Sequence, residues 1–179
     1  SMDALDKDDI QILQLLQYDA RLTNKEVADK IGKSITPVYE RIKRLENEGY
    51  IQRYVAVLDQ RKIDKSLTAY TLVLLKEHTR EMLKTFEKEA VKLEEVMECY
   101  HMAGQYDYLL KIAVKDMDEY ADFMLNKLAR LSNVGTVHSY FVLNEAKKET
   151  AYRIAIPEKP ENTKIKRGNK EAASRKHDK

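Results

Sequence analysis

The chain has 179 residues, 43% apolar and 35% charged, with a formal net charge of +2. That length suits one large or two small domains, and no apolar run approaches the roughly 18 residues that would allow a helical membrane span. A single cysteine, Cys99, excludes an internal disulfide, and the acidic N-terminus (SMDALDKDD) lacks a signal-peptide core; both point to a reducing, cytoplasmic setting.

Asp6 is placed to cap a first helix that runs to about Asp19, with Asp9 at its positive end. Ile10, Leu13 and Leu16, widened by Ile12 and Leu15, give that helix a broad apolar stripe. Thr23 and Glu26 form a capping box for a second helix, whose apolar face is Val27, Ala28 and Ile31. Gly32 stops it in a left-handed turn. Ser34 is the expected cap of a third helix, with Pro37 in its first turn, where a missing amide hydrogen costs little. Val38, Ile42 and Leu45 are its buried stripe, and Gly49 ends it. Residues 1–54 are expected to form this helical domain.

Residues 50–58 alternate and are rich in β-branched and aromatic side chains, which predicts a strand, either a linker or a pairing strand between subunits. The polar run 59–66 reads as a hinge, so 55–66 is assigned to linker strand and hinge. A strand is then expected at 67–75, and a helix at 79–92 with Met82, Leu83, Phe86 and Ala90 on one face. Strands follow at 96–103 and 108–114. A second helix at 116–131 carries Met117, Tyr120, Met124, Leu128 and Leu131, and a last strand covers 134–144. The order βαββαβ over 67–150 specifies a ferredoxin-like α/β sandwich, and the chain as a whole is α+β. The sheet face away from the helices still carries apolar residues, which argues for a homodimer through the sheets.

Residues 151–179 read as a basic tail, disordered from Pro157 onward. Residues 153–179 hold nine Lys/Arg against four Asp/Glu, and without them the acids outnumber the bases by three. No broad basic field therefore covers the folded part. Any affinity for a polyanion must then come from a local patch, from doubling in a dimer, and from whatever the tail adds; the tail also reads as a plain solvated extension.

The second and third helices have the spacing of a helix-turn-helix, in which the later helix enters the major groove. Lys33, Ser34, Thr36, Pro37, Tyr39, Glu40, Arg41, Lys43 and Arg44 are the candidate DNA-contacting residues. A generic helical hairpin with a solvated charged face fits the same spacing. His101 and His138 fall on predicted strands, Cys99 on the same strand face as His101, and no ligand cluster for a metal is evident. GxSxG, P-loop and HExxH motifs are absent, so neither catalytic residues nor a cofactor are expected.

The stretch 5–59 resembles the N-terminal half of the Lrp/AsnC (leucine-responsive, feast/famine) transcription regulators. The matching landmarks include Leu5-Asp6, Asp9, Asp19-Ala20-Arg21, Gly32, Ser34, Pro37-Val38, Arg41-Ile42, Leu45, Gly49 and Tyr54, with Ile35 where the family usually has proline. In the second half, Gly104-Gln105-Tyr106-Asp107-Tyr108 is similar to the family's G-x-Y-D-Y loop. The resemblance implies a DNA-binding regulator whose 50–58 strand pairs between subunits. It also implies a homodimer assembling to tetramers or octamers, and an amino-acid effector at a dimer–dimer contact. Backbone amides at Gly104 suit a carboxylate, Asp107 suits an ammonium, and Gln105 and Tyr106 complete the loop. Ser139 keeps a hydroxyl where the family has Thr-x-Thr; Val137 has lost one. A plain hairpin turn is the simpler reading of residues 104–107. Two further readings stand beside the sensor-regulator. One is an architectural DNA-binding protein without a ligand. The other is an enzyme like the haem-precursor decarboxylases, which would need a His-rich basic pocket that this sequence lacks.

Overall fold

The computed structural model describes residues 5–158. The chain divides into two compact units, one of Ser1–Tyr54 with Glu149–Lys179, the other of Val55–Lys148.

The helical unit contains α1 (Lys7–Tyr18), α2 (Asn24–Ile31) and α3 (Ile35–Asn47). Each start is encoded locally. The Asp9 amide donates to Asp6 Oδ1 at 2.9 Å, and the Asp6 amide donates back to Asp9 Oδ2 at 3.2 Å. Thr23 and Glu26 make the same reciprocal pair at 2.8 and 3.1 Å. Gly32 closes α2 at φ +68°, a backbone that a β-carbon would strain. The core joins Ile10, Ile12, Leu13 and Leu16 to Val27, Ala28, Val38, Ile42 and Leu45. Burial of each large aliphatic here is worth about 1.5–3 kcal/mol.

Two expectations need correction. No strand forms over residues 50–58. Tyr50 and Ile51 pack on the helical core, whereas Val55, Val57 and Leu58 are exposed and no strand among the described residues pairs with them. Residues 151–156 are not a free tail. The Tyr152 amide donates to Gln17 Oε1 at 2.6 Å, Gln17 Nε2 donates to the Tyr152 carbonyl at 3.0 Å, and Ile154 packs on the helical core. The remainder of the expected tail, 159–179, lies outside the described residues. Residues 59–66, expected as a hinge, contain a 3-10 turn at Gln60–Ile63, where Gln60 Nε2 donates to the Lys65 carbonyl and Thr68 Oγ1, each at 2.8 Å.

The second unit runs β1 (Leu67–Leu75), α4 (Arg80–Ala90), β2 (Val96–His101), β3 (Tyr108–Val114), α5 (Met117–Asn126) and β4 (Val134–Phe141). The sheet order is β2-β3-β1-β4, antiparallel throughout, as the βαββαβ reading requires. Ala69, Val73, Leu75, Tyr108, Leu110, Ile112 and Val114 face a core closed by Phe86, Ala90, Tyr120, Phe123 and Leu128 from the helical layer. The opposite face presents Tyr70, Leu72, Leu74, Tyr100, Leu109, His138 and Tyr140, and no helix of this unit covers it. Both edge strands are bulged. Val96 and Glu98 pair with the adjacent Ile112 and Lys111, leaving Met97 extra; Val134 and Thr136 pair with the adjacent Leu75 and Leu74, leaving Gly135 extra.

Candidate functional site

Two sites emerge, one in each unit. On α3, the periodicity that buries Val38, Ile42 and Leu45 leaves Ser34, Thr36, Pro37, Tyr39, Glu40 and Lys43 exposed, with Lys33 just before them. Ser34 occupies the N-cap position but its hydroxyl makes no capping bond, so it is not consumed by the helix. Lys43 Nζ lies 5.9 Å from the Tyr39 ring centroid, a spacing set by one helical turn. A shallow cleft of about 290 Å³ lies between Asp8 of α1, the 31–34 turn, and Pro37, Val38 and Arg41.

Arg41 and Arg44 are placed differently from the expectation. Arg41 Nη1 donates to Asp6 Oδ2 at 2.6 Å and to Asp9 Oδ1 at 2.9 Å, and Arg44 Nη2 donates to Asp9 Oδ2 at 2.5 Å. Lys33 Nζ lies 3.6 Å from Asp8. The Asp9 side chain is 2% exposed, so its charge is held away from water and satisfied by two guanidiniums. Burial pushes the Asp6 carboxyl up, but the Asp9 amide and the Arg41 guanidinium outweigh it and hold its pKa below the ordinary value. The hydrogen bond to Asp6 raises Arg41, and that to Asp9 raises Arg44. This brace fixes α3 against the start of α1. Its signal was present in the sequence: Arg41 and Arg44, three apart, share one helix face, and Asp6, Asp8 and Asp9 crowd one helical turn.

In the second unit, residues 102–107 join β2 to β3. Gly104 has φ +144°, open to glycine and strained for other residues. The loop is pinned at its far end. The Asp107 amide donates to the Val73 carbonyl at 2.9 Å, and Asp107 Oδ2 accepts the Leu75 amide at 2.7 Å. His78 Nε2 lies 2.8 Å from the same oxygen, a residue the sequence reasoning did not single out for this site. Oδ1 has no hydrogen-bond partner among the described residues. Tyr106 meets His138 of β4 with ring centroids 5.4 Å apart, and Gln105 is exposed.

Ser139 is not brought to this loop. It pairs with Thr71 on the helix-covered side, where its hydroxyl bonds Tyr120 and lies 3.4 Å from Thr71 Oγ1. His101 stacks on Tyr108 at 4.9 Å, and burial raises the Cys99 thiol pKa. Among the described residues no group of three or more His, Cys, Asp or Glu is arranged to hold a metal ion, and no helix is long and apolar enough to cross a membrane.

Comparison with known proteins finds a matching family for each unit. Residues 5–52 match a winged helix-turn-helix DNA-binding model, and residues 68–152 match the Lrp/AsnC ligand binding domain. The chain is 38% identical over 142 residues to the Bkd operon transcriptional regulator of Pseudomonas aeruginosa, covering 79% of this chain and 93% of that one. It is equally 38% identical over 143 residues to the leucine-responsive regulatory protein of Escherichia coli K12, covering 80% of this chain and 87% of that one. A transcriptional regulator of Neisseria meningitidis, solved in complex with L-Met, superposes with a TM-score of 0.80 at 34% identity, covering 84% of this chain and 97% of that one. These relatives are regulators rather than enzymes. With a winged helix-turn-helix match in one unit and a ligand-binding-domain match in the other, the chain belongs to the Lrp/AsnC family of transcriptional regulators.

Proposed function

We propose that this protein reads specific duplex sites with α3 and changes its DNA binding when an amino acid occupies the 104–107 loop. The observation that carries the reading is the open row on α3. Thr36, Pro37, Tyr39 and Glu40 face outward from the first two turns, where a helix in the major groove meets base edges. Ser34, Lys33 and Lys43 flank them as phosphate contacts. Arg41 and Arg44 act as positioning residues that set the angle of α3 through Asp9.

In the second unit, backbone amides beside Gly104 take the effector carboxylate, Asp107 Oδ1 takes its ammonium, and Tyr106 with His138 walls the side chain. Ser139 acts at one remove, through Tyr120. The uncovered sheet face makes the homodimer, and dimers assemble further into tetramers or octamers with the effector at a dimer–dimer contact. A dimer offers two α3 helices to a pseudo-palindromic site in cytoplasmic DNA. Coupling requires that the effector bind one assembly state more tightly than another.

The test is binding to a duplex pool containing the gene's own upstream region, at rising salt, with and without a panel of amino acids. Site-selective binding that shifts with one amino acid is the expected result. Selective binding with no response to any amino acid would remove the effector site, and unselective, wholly salt-sensitive binding would remove the regulator.

A further inference from the structure

The chain crosses between the two units twice, after Tyr54 and after Lys148. Each crossing is fastened on its helical side. At the first, Tyr54 Oη donates to Glu46 Oε1 of α3 at 3.0 Å. Past the second, Gln17 of α1 both donates to and accepts from the backbone of Tyr152, as a neighbouring strand would. Gln14 Nε2 adds a bond to the Ile154 carbonyl at 3.4 Å, and Ile154 is an apolar anchor on the helical core. The second crossing also has a fixed start. Directly after β4, the Val142 amide donates to the Thr68 carbonyl of β1 at 3.0 Å. Residues 143–148, exposed throughout, are all that separates that bond from the helical unit. So short a connection has few torsions in which a displacement of β4 could be lost.

We propose that residues 149–156 are a strap that carries the effector's signal from β4 to α3, with Gln17 and Ile154 as its attachment points. This rests on the effector reading above and names the route of its regulation. The route begins at the effector loop. Tyr106 meets His138 of β4, so a ligand against Tyr106 bears on that strand. The strap passes a shift of β4 to the C-terminal half of α1 through Gln14, Gln17 and Ile154. Near the other end of α1, Asp9 holds Arg41 and Arg44 of α3. Each link is a packed, hydrogen-bonded or covalent one, so the path is physically continuous. A helix gripped near both ends acts as one rigid element, and α1 turns a displacement of the strap into a new angle of α3. The effector shifts the equilibrium by as much as it prefers one strap position over the other.

The experiment measures affinity for the gene's own upstream duplex, with and without L-methionine, L-leucine and the other amino acids of the panel, in four full-length proteins. One is the intact chain. The second carries Gln17→Ala and Ile154→Ser, which release the strap. The third has a short Gly-Ser insert after Lys147, which slackens the connection and leaves the strap's own contacts in place. The fourth is Tyr54→Phe, which loosens the other crossing. In the intact chain one amino acid should change duplex affinity by about fivefold or more, and should change hydrogen exchange at the Tyr152 amide. The released and slackened proteins should match the intact chain on the duplex without effector and still bind that amino acid by calorimetry. Their shift in duplex affinity should fall below about twofold. Tyr54→Phe should keep the shift. A full shift in the slackened protein, or in a released protein whose Tyr152 amide exchanges freely, would overturn the proposal. An intact chain that binds the duplex and shifts with no amino acid would overturn the effector reading and this one with it.

Discussion

Asp9 and Asp107 are the same short carboxylate, one in each unit, and their oxygens are engaged in opposite ways. Both oxygens of Asp9 are taken: Oδ1 by Arg41, Oδ2 by Arg44 and the Asp6 amide. Among the described residues only one oxygen of Asp107 is taken, by the Leu75 amide and His78. A saturated, buried carboxylate is a structural brace. A carboxylate fixed through one oxygen is held in place with the other open, which suits the ammonium contact proposed for Asp107. Residue type alone does not separate these roles; the partners on each oxygen do.

The largest expected effect tests the brace. Asp9→Ala leaves two facing guanidiniums without their shared anion and should destabilise the helical unit by about 2–3 kcal/mol, the loss moderated because water reaches both arginines. Hydrogen exchange on α1 and α3 amides reads this directly, and unchanged protection would end the assignment. Next, Asp107→Ala should abolish any amino-acid response while binding to the upstream duplex persists. A full response in that variant would place the ammonium elsewhere.

A smaller contrast lies within α3. Lys43→Ala should leave exchange protection intact, weaken binding to specific and shuffled duplexes alike, and reduce the salt slope by about 1. Arg44→Ala should instead lower α3 protection and weaken specific binding through the helix angle. If Arg44→Ala matches Lys43→Ala in both readouts, Arg44 contacts DNA rather than positioning the helix. The smallest effect is with pH. Asp6 has a folded pKa held below its ordinary 3.8. Its contribution is therefore fully present above that value and is lost as pH falls through the lower folded one. Exchange protection at the start of α1, corrected for intrinsic rates, should be flat at neutral pH and begin to fall below about 4. Asp6→Asn should remove that part of the acid dependence.

What could be read from the sequence was whatever depends on neighbours along the chain. The Thr23–Glu26 capping box, the left-handed Gly32 and the alternation of β1 and β3 are decided within a few residues, and the folded elements follow them. What could not be read depends on packing between elements. Arg41 and Arg44 look like open cations until α1 brings Asp9 against them. Ser139 looks like a ligand group until its register opposite Thr71 turns it toward Tyr120. Residues 50–58 carry a strand's alternation, but alternation reports only a preference for a pleated neighbour and cannot supply one. Nothing in the sequence around Tyr152 announces its bonding to Gln17, because on its side those hydrogen bonds use main-chain atoms that every residue has.

The extra residues at Met97 and Gly135 have a consequence for how copies of this protein meet. A four-stranded sheet has two open edges, and straight edges let sheets join side by side without end, as in fibrils. Here a bulge sits near the start of each edge strand, twisting it locally and breaking the even row of donors and acceptors that another edge would need. Growth along the sheet is thereby discouraged, while the broad face with Tyr70, Leu72 and Tyr140 remains the surface proposed to meet another copy. In the assembly proposed above, that asymmetry lets contacts close on themselves instead of propagating.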